Sequence, residues 1–341
     1  MSHTFVSSLA LFSAALFSLS FHASAQDYTP KLTEHGQPDL RGVWNFSSRT
    51  PLERPERFGE TEFLQDVDRA TLNARPARSG SAGANPSRVI GAYNGYWNDR
   101  NELQQSGRTS LITHPLNGRI PPVRDGVHVQ LGGDITTDVD FGESRPVRYT
   151  HGGIGRTGPE DRGLSERCLV FVSGPPLLTG YYNNHIQIFQ NADHVVLLIE
   201  MGWDARIVSL EDKPHIDSAI EQWSGDSRGY WDGNTLVIET RNFSEQVGSL
   251  SLRGIAYGNA KDRLLTERFK PTAAGVLEYE FTVDDPTTFT DKIVGISPMT
   301  SVEDNIYEFA CHSGNYAMAG ILRAGRVEEA DVAAASNPLL R

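Results

Sequence analysis

Three side chains of this sequence are suited to moving protons. His185 lies in the segment Asn183–Gln187, and Glu200 ends the apolar segment that follows a turn at Asp193. If the two segments pair as a β-hairpin, imidazole and carboxylate come within reach across the sheet. Histidine and glutamate serve as general acids and bases because their surroundings can adjust their proton affinity. A histidine satisfied in the core or on the surface is the alternative interpretation for His185.

A second imidazole, His312, follows Cys311 in the segment 309–316 at the end of a predicted strand. Loops at strand ends commonly carry function. Tyr316 ends the same segment and could donate a proton beside it. We therefore predict that His185, Glu200 and His312 converge on one cavity, with Tyr316 as a further catalytic candidate.

Polar residues around these candidates are predicted to bind substrate. On an extended segment, side chains two residues apart share a face, so Asn183 and Gln187 lie on the face of His185. The same spacing lets Asp226 and Arg228 form a pair at a pocket rim, with a structural turn clamp as the alternative. Guanidinium groups hold anionic or hydroxylated ligands. The predicted substrate-binding residues are Asn183, Gln187, Asp204, Arg206, Asp226 and Arg228.

Motifs of several other site classes are missing from the sequence. The histidines are scattered, without the His-Glu-x-x-His or Cys-x-x-Cys spacing of zinc sites, although a metal site assembled from separate strands stays open. There is no Gly-x-Ser-x-Gly elbow of serine hydrolases and no Gly-rich phosphate loop. We therefore predict neither a metal nor another cofactor.

Alternation of apolar and polar residues indicates the elements that position these groups. In the segment Leu277–Asp284, period-2 geometry places Leu, Tyr, Phe and Val on one side and the polar residues on the other. Asp232-Gly233-Asn234 is a hairpin turn signal between two such segments. Candidate strands cover 168–172, 182–190, 194–201, 205–210, 229–231, 235–243, 264–270, 276–283 and 305–312. The predicted fold class is all-β: an antiparallel lipocalin-like barrel or stacked β units with long irregular loops.

Two resemblances accompany this prediction. Gly42-Val43-Trp44 resembles the Gly-x-Trp opening of lipocalin-type barrels, whose Trp plugs the closed end; a core Trp of any β fold is the alternative. The motifs Glu-Asp-Arg…Ser-Glu-Arg-Cys, from residue 160, and Ala-Cys-His-x-Gly-Asn-Tyr, from residue 310, resemble a family of exported bacterial proteins of uncharacterised function. That resemblance covers most of the chain from Pro159 to Tyr316 and implies no reaction. Trp203 departs from the family, whose members carry a His there.

The first 25 residues are predicted to be a signal peptide. An apolar stretch from Phe5 to Leu19 is followed by Ala23-Ser24-Ala25, a small-x-small cleavage site, although the first four residues contain no Lys or Arg. The stretch is shorter than the roughly 20 residues that span a bilayer. We therefore expect a periplasmic or secreted protein, with no membrane span after cleavage.

The net charge limits the class of partner, and the cysteine content indicates the redox compartment. The net charge of −12, without a basic stripe, argues against nucleic acid and leaves a small-molecule substrate or ligand as the expected partner. The chain contains two cysteines, Cys168 and Cys311. In an oxidising compartment such a pair favours a disulfide, with two buried thiols as the alternative.

Together these features predict a domain plan and a function. The plan has a loop-rich part at 26–165 that wraps the core, a β-barrel core at 166–320 and a C-terminal tail at 321–341. The predicted function is that of an exported hydrolase or lyase using acid–base chemistry on a small hydroxylated or glycoside-like compound. The alternative is a non-catalytic lipocalin-like carrier of an apolar ligand. The two differ in their cavity, since a carrier needs mostly apolar walls and an enzyme needs converging polar groups.

Overall fold

The structure, a computed structural model, describes residues 28–68, 107–131, 157–180, 182–252 and 255–336. The predicted alternation of the segment Leu277–Asp284 is confirmed: Leu277, Tyr279, Phe281 and Val283 are buried, and the residues between them are partly exposed. The same alternation recurs along the neighbouring strands, which therefore form a wall with one apolar side. The signal peptide predicted at residues 1–25 lies outside the described residues.

Thirteen strands are present in the described part of the chain, and most of them form hairpins with their sequence neighbours. In chain order they are β1 (Gly42–Asn45), β2 (Ile112–His114), β3 (Val129–Leu131), β4 (His185–Gln190), β5 (His194–Ile199), β6 (Asp204–Ser209), β7 (Asp226–Asp232), β8 (Thr235–Arg241), β9 (Leu250–Leu252), β10 (Ile255–Tyr257), β11 (Leu264–Ala273), β12 (Val276–Asp284) and β13 (Ile293–Val302). After the last strand come a single turn of helix, α1 (Cys311–Gly314), and the longer α2 (Tyr316–Ser336). Two 3-10 turns, Glu56–Phe58 and Pro159–Asp161, lie earlier in the described chain.

Nine of the described strands close a mixed β-barrel, in the order β1-β4-β5-β6-β7-β8-β11-β12-β13 with β13 returning to β1. The all-β barrel prediction is confirmed. Every contact in the ring is antiparallel except that of β6 with β7, which is parallel and rests on the pairing of Ser209 with Arg228. β2 adds to β13 outside the ring, and β3, β10 and β9 form a small separate sheet.

Large apolar side chains fill the inside of the barrel. The rings of Phe269 and Tyr279 lie 5.0 Å apart, and those of Tyr279 and Phe281 lie 5.9 Å apart. Phe281 packs against Gly295 of β13, where an added Cβ would lie 2.3 Å from the ring. Trp44 is buried in the same cluster, and its Nε1 donates to the carbonyl of Leu40 at 2.9 Å. The apolar side of the strands therefore faces inward, and the polar side faces outward.

Several predicted elements differ from the observed ones. The hairpin at Asp232-Gly233-Asn234 is confirmed, because β7 and β8 pair across it. The segments 168–172 and 305–312 are not strands; the second is irregular before it enters α1. Sequence analysis also missed β13, because Gly295 and Pro298 interrupt its apolar alternation. Residues 26–165 were predicted to be a loop-rich part that wraps the core. This part instead supplies one strand of the barrel, β1, which pairs with both β4 and β13.

The disulfide predicted between Cys168 and Cys311 is confirmed; the two residues are 143 positions apart. It fastens α1 to the loop that precedes β4. Beyond it, α2 crosses the predicted boundary at residue 320 and buries only Gly325 among its described residues. Within the described ranges, no helix has both the length and the apolar character needed to cross a bilayer.

Candidate functional site

A histidine and a buried carboxylate contact each other beside the β4–β5 hairpin. His185 Nδ1 lies 2.9 Å from Glu200 Oε2. Glu200 is 2% exposed, whereas the His185 side chain keeps 23% of its surface accessible. An ionised carboxylate only accepts hydrogen bonds, so Nδ1–H is the donor. The prediction that these two groups meet across paired strands is confirmed.

The backbone holds this dyad, defined as His185 and Glu200, from two sides. His185 begins β4, and Glu200 directly follows β5; the Glu200 amide donates to the His185 carbonyl at 3.0 Å. The second carboxylate oxygen, Oε1, accepts from the Tyr307 amide at 2.9 Å. Both oxygens of Glu200 therefore have a donor, which fixes the carboxylate and, through it, the imidazole.

The turn after Glu200 is closely packed. Gly202 has a φ of +85°, and a Cβ there would lie 2.5 Å from the ring of Phe171. Phe171 in turn packs edge-on against Phe309, with ring centroids 5.2 Å apart. The segment that carries Tyr307 is therefore tied to the same turn by aromatic packing.

Two exposed aromatic residues border the dyad. The amide of Trp203 contacts the Glu200 carbonyl at 3.4 Å, and that of Tyr307 contacts the Glu200 carboxylate. Trp203 is 42% exposed and Tyr307 is 73% exposed. Exposed aromatic rings are common where proteins bind partners or ligands. The dyad therefore lies outside the barrel interior, and two segments that each carry an exposed aromatic residue contact it through their backbone amides.

The other two catalytic candidates belong to the two C-terminal helices. His312 is exposed on α1, and Tyr316 is 83% exposed at the start of α2. Among the described residues, no hydrogen bond or ion pair joins either side chain to His185 or Glu200. The disulfide of Cys311 holds α1 against the loop before β4, so the bridge determines where His312 lies.

Arg206 faces the interior of the barrel, on the opposite side of the sheet from His185. Its pairing partner on β5 is Leu197, which is also interior. Arg206 Nη1 lies 2.6 Å from Glu267 Oε2, and both residues are buried. Arg206, predicted to bind substrate, therefore does not share a cavity with His185, because strand parity directs the two side chains to opposite faces.

Glu267 also contacts a tyrosine, which completes a buried polar network. The Tyr279 hydroxyl donates to Glu267 Oε1 at 2.8 Å and accepts from the Leu177 amide at 2.9 Å. Burial, reinforced by the Glu267 charge, raises the pKa of Tyr279 well above its usual value. Burial opposes the charge on Arg206, but the attraction of Glu267 outweighs it and raises the Arg206 pKa. The sequence analysis placed Tyr279 on the apolar side of its strand, but it did not identify Glu267 or the network; the alternation of Glu267 with apolar neighbours was the available signal.

Asp226 and Arg228 form the predicted pair, with Arg228 Nη1 2.9 Å from Asp226 Oδ1. Sequence analysis missed a third member, His215, whose Nδ1 lies 2.7 Å from Asp226 Oδ2. Arg228 Nε donates to the Pro214 carbonyl at 3.2 Å. These contacts fasten the crossover between β6 and β7 to the barrel, which corresponds to the structural clamp named as the alternative.

The remaining predicted binding residues lie at strand ends or on the outer face. Asn183 precedes β4 in the left-handed region, with a φ of +58°. Gln187 is on β4 and is partly exposed, on the same side as His185. Asp204 begins β6 and accepts a hydrogen bond from Ser224 Oγ. Of these three residues, Gln187 is the one whose side chain lies on the same face of β4 as that of His185.

The described part of the chain includes two cavities, and neither is lined by a predicted site residue. One cavity, of about 230 Å³, is lined by Arg124, Asp284, Asp285, Pro286, Phe289, Thr290, Asp291 and Lys292, none of which is a predicted site residue. A second, smaller one lies beside Arg263. In the described part of the chain, no group of three or more His, Cys, Asp or Glu side chains is placed to hold a metal ion.

Comparison with known proteins adds no assignment. No family model matches the chain. No curated protein matches it either. No solved structure matches it. The resemblances described for the sequence therefore stay predictions, and the function has to be argued from the geometry of the site.

Proposed function

We propose that this protein is an enzyme that performs acid–base chemistry, as a hydrolase or lyase, at the His185–Glu200 dyad. The observation that carries the proposal is the 2.9 Å contact between His185 Nδ1 and a carboxylate that is almost fully buried. Such a carboxylate orients the imidazole and stabilises its protonated form, as in other catalytic His–carboxylate pairs. The partly exposed imidazole can then exchange a proton with a bound substrate.

The surroundings of the dyad favour a small hydroxylated or glycoside-like substrate. Trp203 and Tyr307 offer exposed rings, on which the apolar face of a sugar ring can stack. Gln187 adds a polar group on the face of His185. The packed barrel interior supports this choice over the carrier, since an apolar ligand needs the space that Phe269, Tyr279 and Phe281 occupy.

The proposal includes export to the periplasm or the exterior. It is supported by the Ala23-Ser24-Ala25 cleavage pattern and by the Cys168–Cys311 disulfide, a bond typical of oxidising compartments. Mass spectrometry of protein recovered from the exported fraction should find Gln26 at the N-terminus. A mature chain that still begins at Met1 would contradict this part of the proposal.

The catalytic role is tested by a turnover screen of glycosides and other hydroxylated compounds, followed by His185→Gln and Glu200→Gln. We expect each substitution to lower kcat by ~10²- to 10⁴-fold, the usual contribution of a positioned acid or base. Trp203→Ala should instead raise KM with little change in kcat, because it removes a stacking surface. Far-UV circular dichroism checks that each variant is folded.

The matched control is His114→Gln, since His114 Nε2 also lies near a carboxylate, 3.1 Å from Asp291 Oδ2, but outside the proposed site. This variant should retain full activity. Folded His185→Gln and Glu200→Gln variants with wild-type turnover would refute the assignment. An equal loss of turnover in the folded His114→Gln variant would refute it as well.

A further inference from the structure

The outer face of the barrel is apolar beside the dyad. On β5, Val196 and Leu198 alternate with the buried Val195 and Leu197, so they lie on the same outward side as Glu200. This strand therefore has apolar side chains on both of its faces. Continuous apolar runs of this kind are typical of strands that are covered on both sides.

The two neighbouring strands extend this apolar surface. Phe189 of β4 and Ile207 of β6 both pair with Val196, one on each side of it. Phe189 is 45% exposed and Ile207 is 63% exposed. Ala205 of β6 is exposed as well, and it pairs with Leu198. We call these five residues the apolar strip: Phe189, Val196, Leu198, Ala205 and Ile207.

Other strands carry polar and charged residues on the outer face. On β12 the outward residues include Glu278, Glu280 and Thr282, and Arg268 of β11 pairs with Glu280. Such residues are typical of the solvated face of an antiparallel sheet. The apolar strip is therefore a local departure from this pattern, and it lies on the face that also carries His185.

The apolar strip begins one row of residues away from the dyad. Leu198 lies two positions before Glu200, and Gln187, which pairs with Leu198, lies two positions after His185. Residues two positions apart on a strand share a face and are separated by about 6.5–7 Å. A ligand whose reacting group lies at the imidazole therefore contacts the apolar strip if it extends by one further ring.

A polar row closes the apolar strip at its far end. His194 pairs with Ser209, and Ser209 pairs with Arg228. These three residues follow the row that contains Val196 and Ile207. The apolar surface is therefore two residue rows long, with the dyad at one end and polar side chains at the other.

The size of the apolar strip favours a small apolar group over a second protein chain. Two rows on three neighbouring strands extend over about 7 by 10 Å between backbone positions, since strands lie roughly 4.8 Å apart. Even with the reach of the side chains, this is a fraction of the roughly 800 Å² that each partner buries in a stable protein interface. An area of this size matches one aromatic ring or a short alkyl chain.

We propose that the apolar strip binds the aglycone of the dyad's substrate, an apolar group of about the size of one aromatic ring. This inference rests on the function proposed above and narrows its substrate class to compounds with a hydroxylated half and an apolar half. The hydroxylated half lies at His185 and Gln187, and the apolar half lies over Leu198, Val196 and Ile207. Removal of both apolar surfaces from water supplies binding free energy without a deep cavity.

Binding of phenyl β-D-glucoside and methyl β-D-glucoside, measured by NMR titration, tests the apolar strip without requiring turnover. The two compounds share the sugar and differ only in the aglycone. We expect the phenyl compound to bind about tenfold more tightly, since that factor corresponds to roughly 50–60 Å² of apolar area removed from water. It should also shift the methyl resonances of Val196, Leu198 and Ile207. Equal affinities, no binding of the phenyl compound, or unshifted methyl resonances would overturn the inference.

Two variants and one control locate the effect. Ile207→Ser and Phe189→Ser change exposed side chains, so the core stays intact, and far-UV circular dichroism checks the fold. Each should remove most of the preference for the phenyl compound. Leu116→Ser, which changes an 83% exposed leucine after β2, should keep that preference. A preference that survives both substitutions in the apolar strip would contradict the inference.

The outcome is separable from that of the proposed function. If turnover depends on His185 but phenyl binding ignores Ile207 and Phe189, only the inference about the apolar strip fails. If the phenyl compound binds at the apolar strip but turnover is unchanged in His185→Gln, the catalytic assignment fails instead.

Discussion

Two residues inside the barrel carry a charge, although charged side chains usually lie in contact with solvent. Arg206 and Glu267 come from strands that are not neighbours in the sheet, and they meet in the interior with less than 5% of either residue exposed. Taking both charges out of water is costly, and their mutual attraction offsets that cost only while both are present. Loss of one partner is therefore more harmful than loss of both.

That asymmetry predicts a strong energetic coupling. Arg206→Met should lower the free energy of unfolding by ~3–5 kcal/mol, because it leaves the Glu267 carboxylate buried without its partner. Adding Glu267→Met should recover part of that loss. Urea denaturation of the two single variants and the double variant measures the coupling, and strictly additive losses would contradict it. Arg41→Met, which breaks an exposed pair with Asp39, is the control and should cost far less stability than Arg206→Met, because solvent screens exposed ion pairs.

At the scale of elements, a short hairpin connection positions the dyad. The disulfide, which links residues far apart in the sequence, positions α1. The β4–β5 hairpin brings His185 and Glu200 together through a connection of three residues. The Cys168–Cys311 bridge instead closes a loop of 143 positions that contains β4 to β13. A cross-link over so long a loop restricts the unfolded chain strongly in the chain-entropy model.

Removal of the bridge should therefore destabilise the protein without changing its strands. Cys168→Ala should lower the free energy of unfolding by ~2–5 kcal/mol, measured by denaturant titration under non-reducing conditions. Cys311→Ala should cause the same loss, and the double variant should add nothing further. Two titratable thiols in the unfolded, non-reduced wild type, or a double variant much less stable than either single one, would contradict the bridge.

For the whole molecule, stability resides in the barrel rather than in the C-terminal helix. Among the described residues of α2 only Gly325 is buried, whereas Val327 and Val332 are 56% and 69% exposed. Apolar area that stays in contact with water contributes little to folding. The later turns of α2 therefore add little to the cooperative unit.

Truncation after Arg326 checks this distribution. We expect the thermal midpoint of unfolding, followed by circular dichroism, to stay within about a degree of the full-length value. The helical signal should fall in proportion to the residues removed. A drop of the midpoint by several degrees would show that the end of α2 packs against the barrel and supports it.

Several features could be predicted from the sequence because their physical causes are local. Period-2 alternation identified the apolar side of β12, and the Asp-Gly-Asn turn identified the β7–β8 hairpin. The dyad was predictable for the same reason, since His185 and Glu200 lie near the open end of one hairpin. The disulfide was predictable because the chain has only two cysteines.

Other features depend on how the barrel closes, and no local pattern contains them. The pairing of β1 with β13 joins residues more than 250 positions apart, and it decides which face of every strand points inward. Closure also brings Arg206 to Glu267 and encloses Arg263, while the crossover after β6 brings His215 to Asp226. The segment 305–312 alternates like a strand but lies outside the ring, where the Tyr307 amide donates to Glu200 and the disulfide holds Cys311. The sequence alone determined most of the strands, the cysteine bridge and the dyad, because each follows from neighbouring residues or from residue counts. Only the tertiary structure decided the buried ion pair, the loop clamp and the burial of Arg263, because contacts across a closed barrel depend on its register and closure.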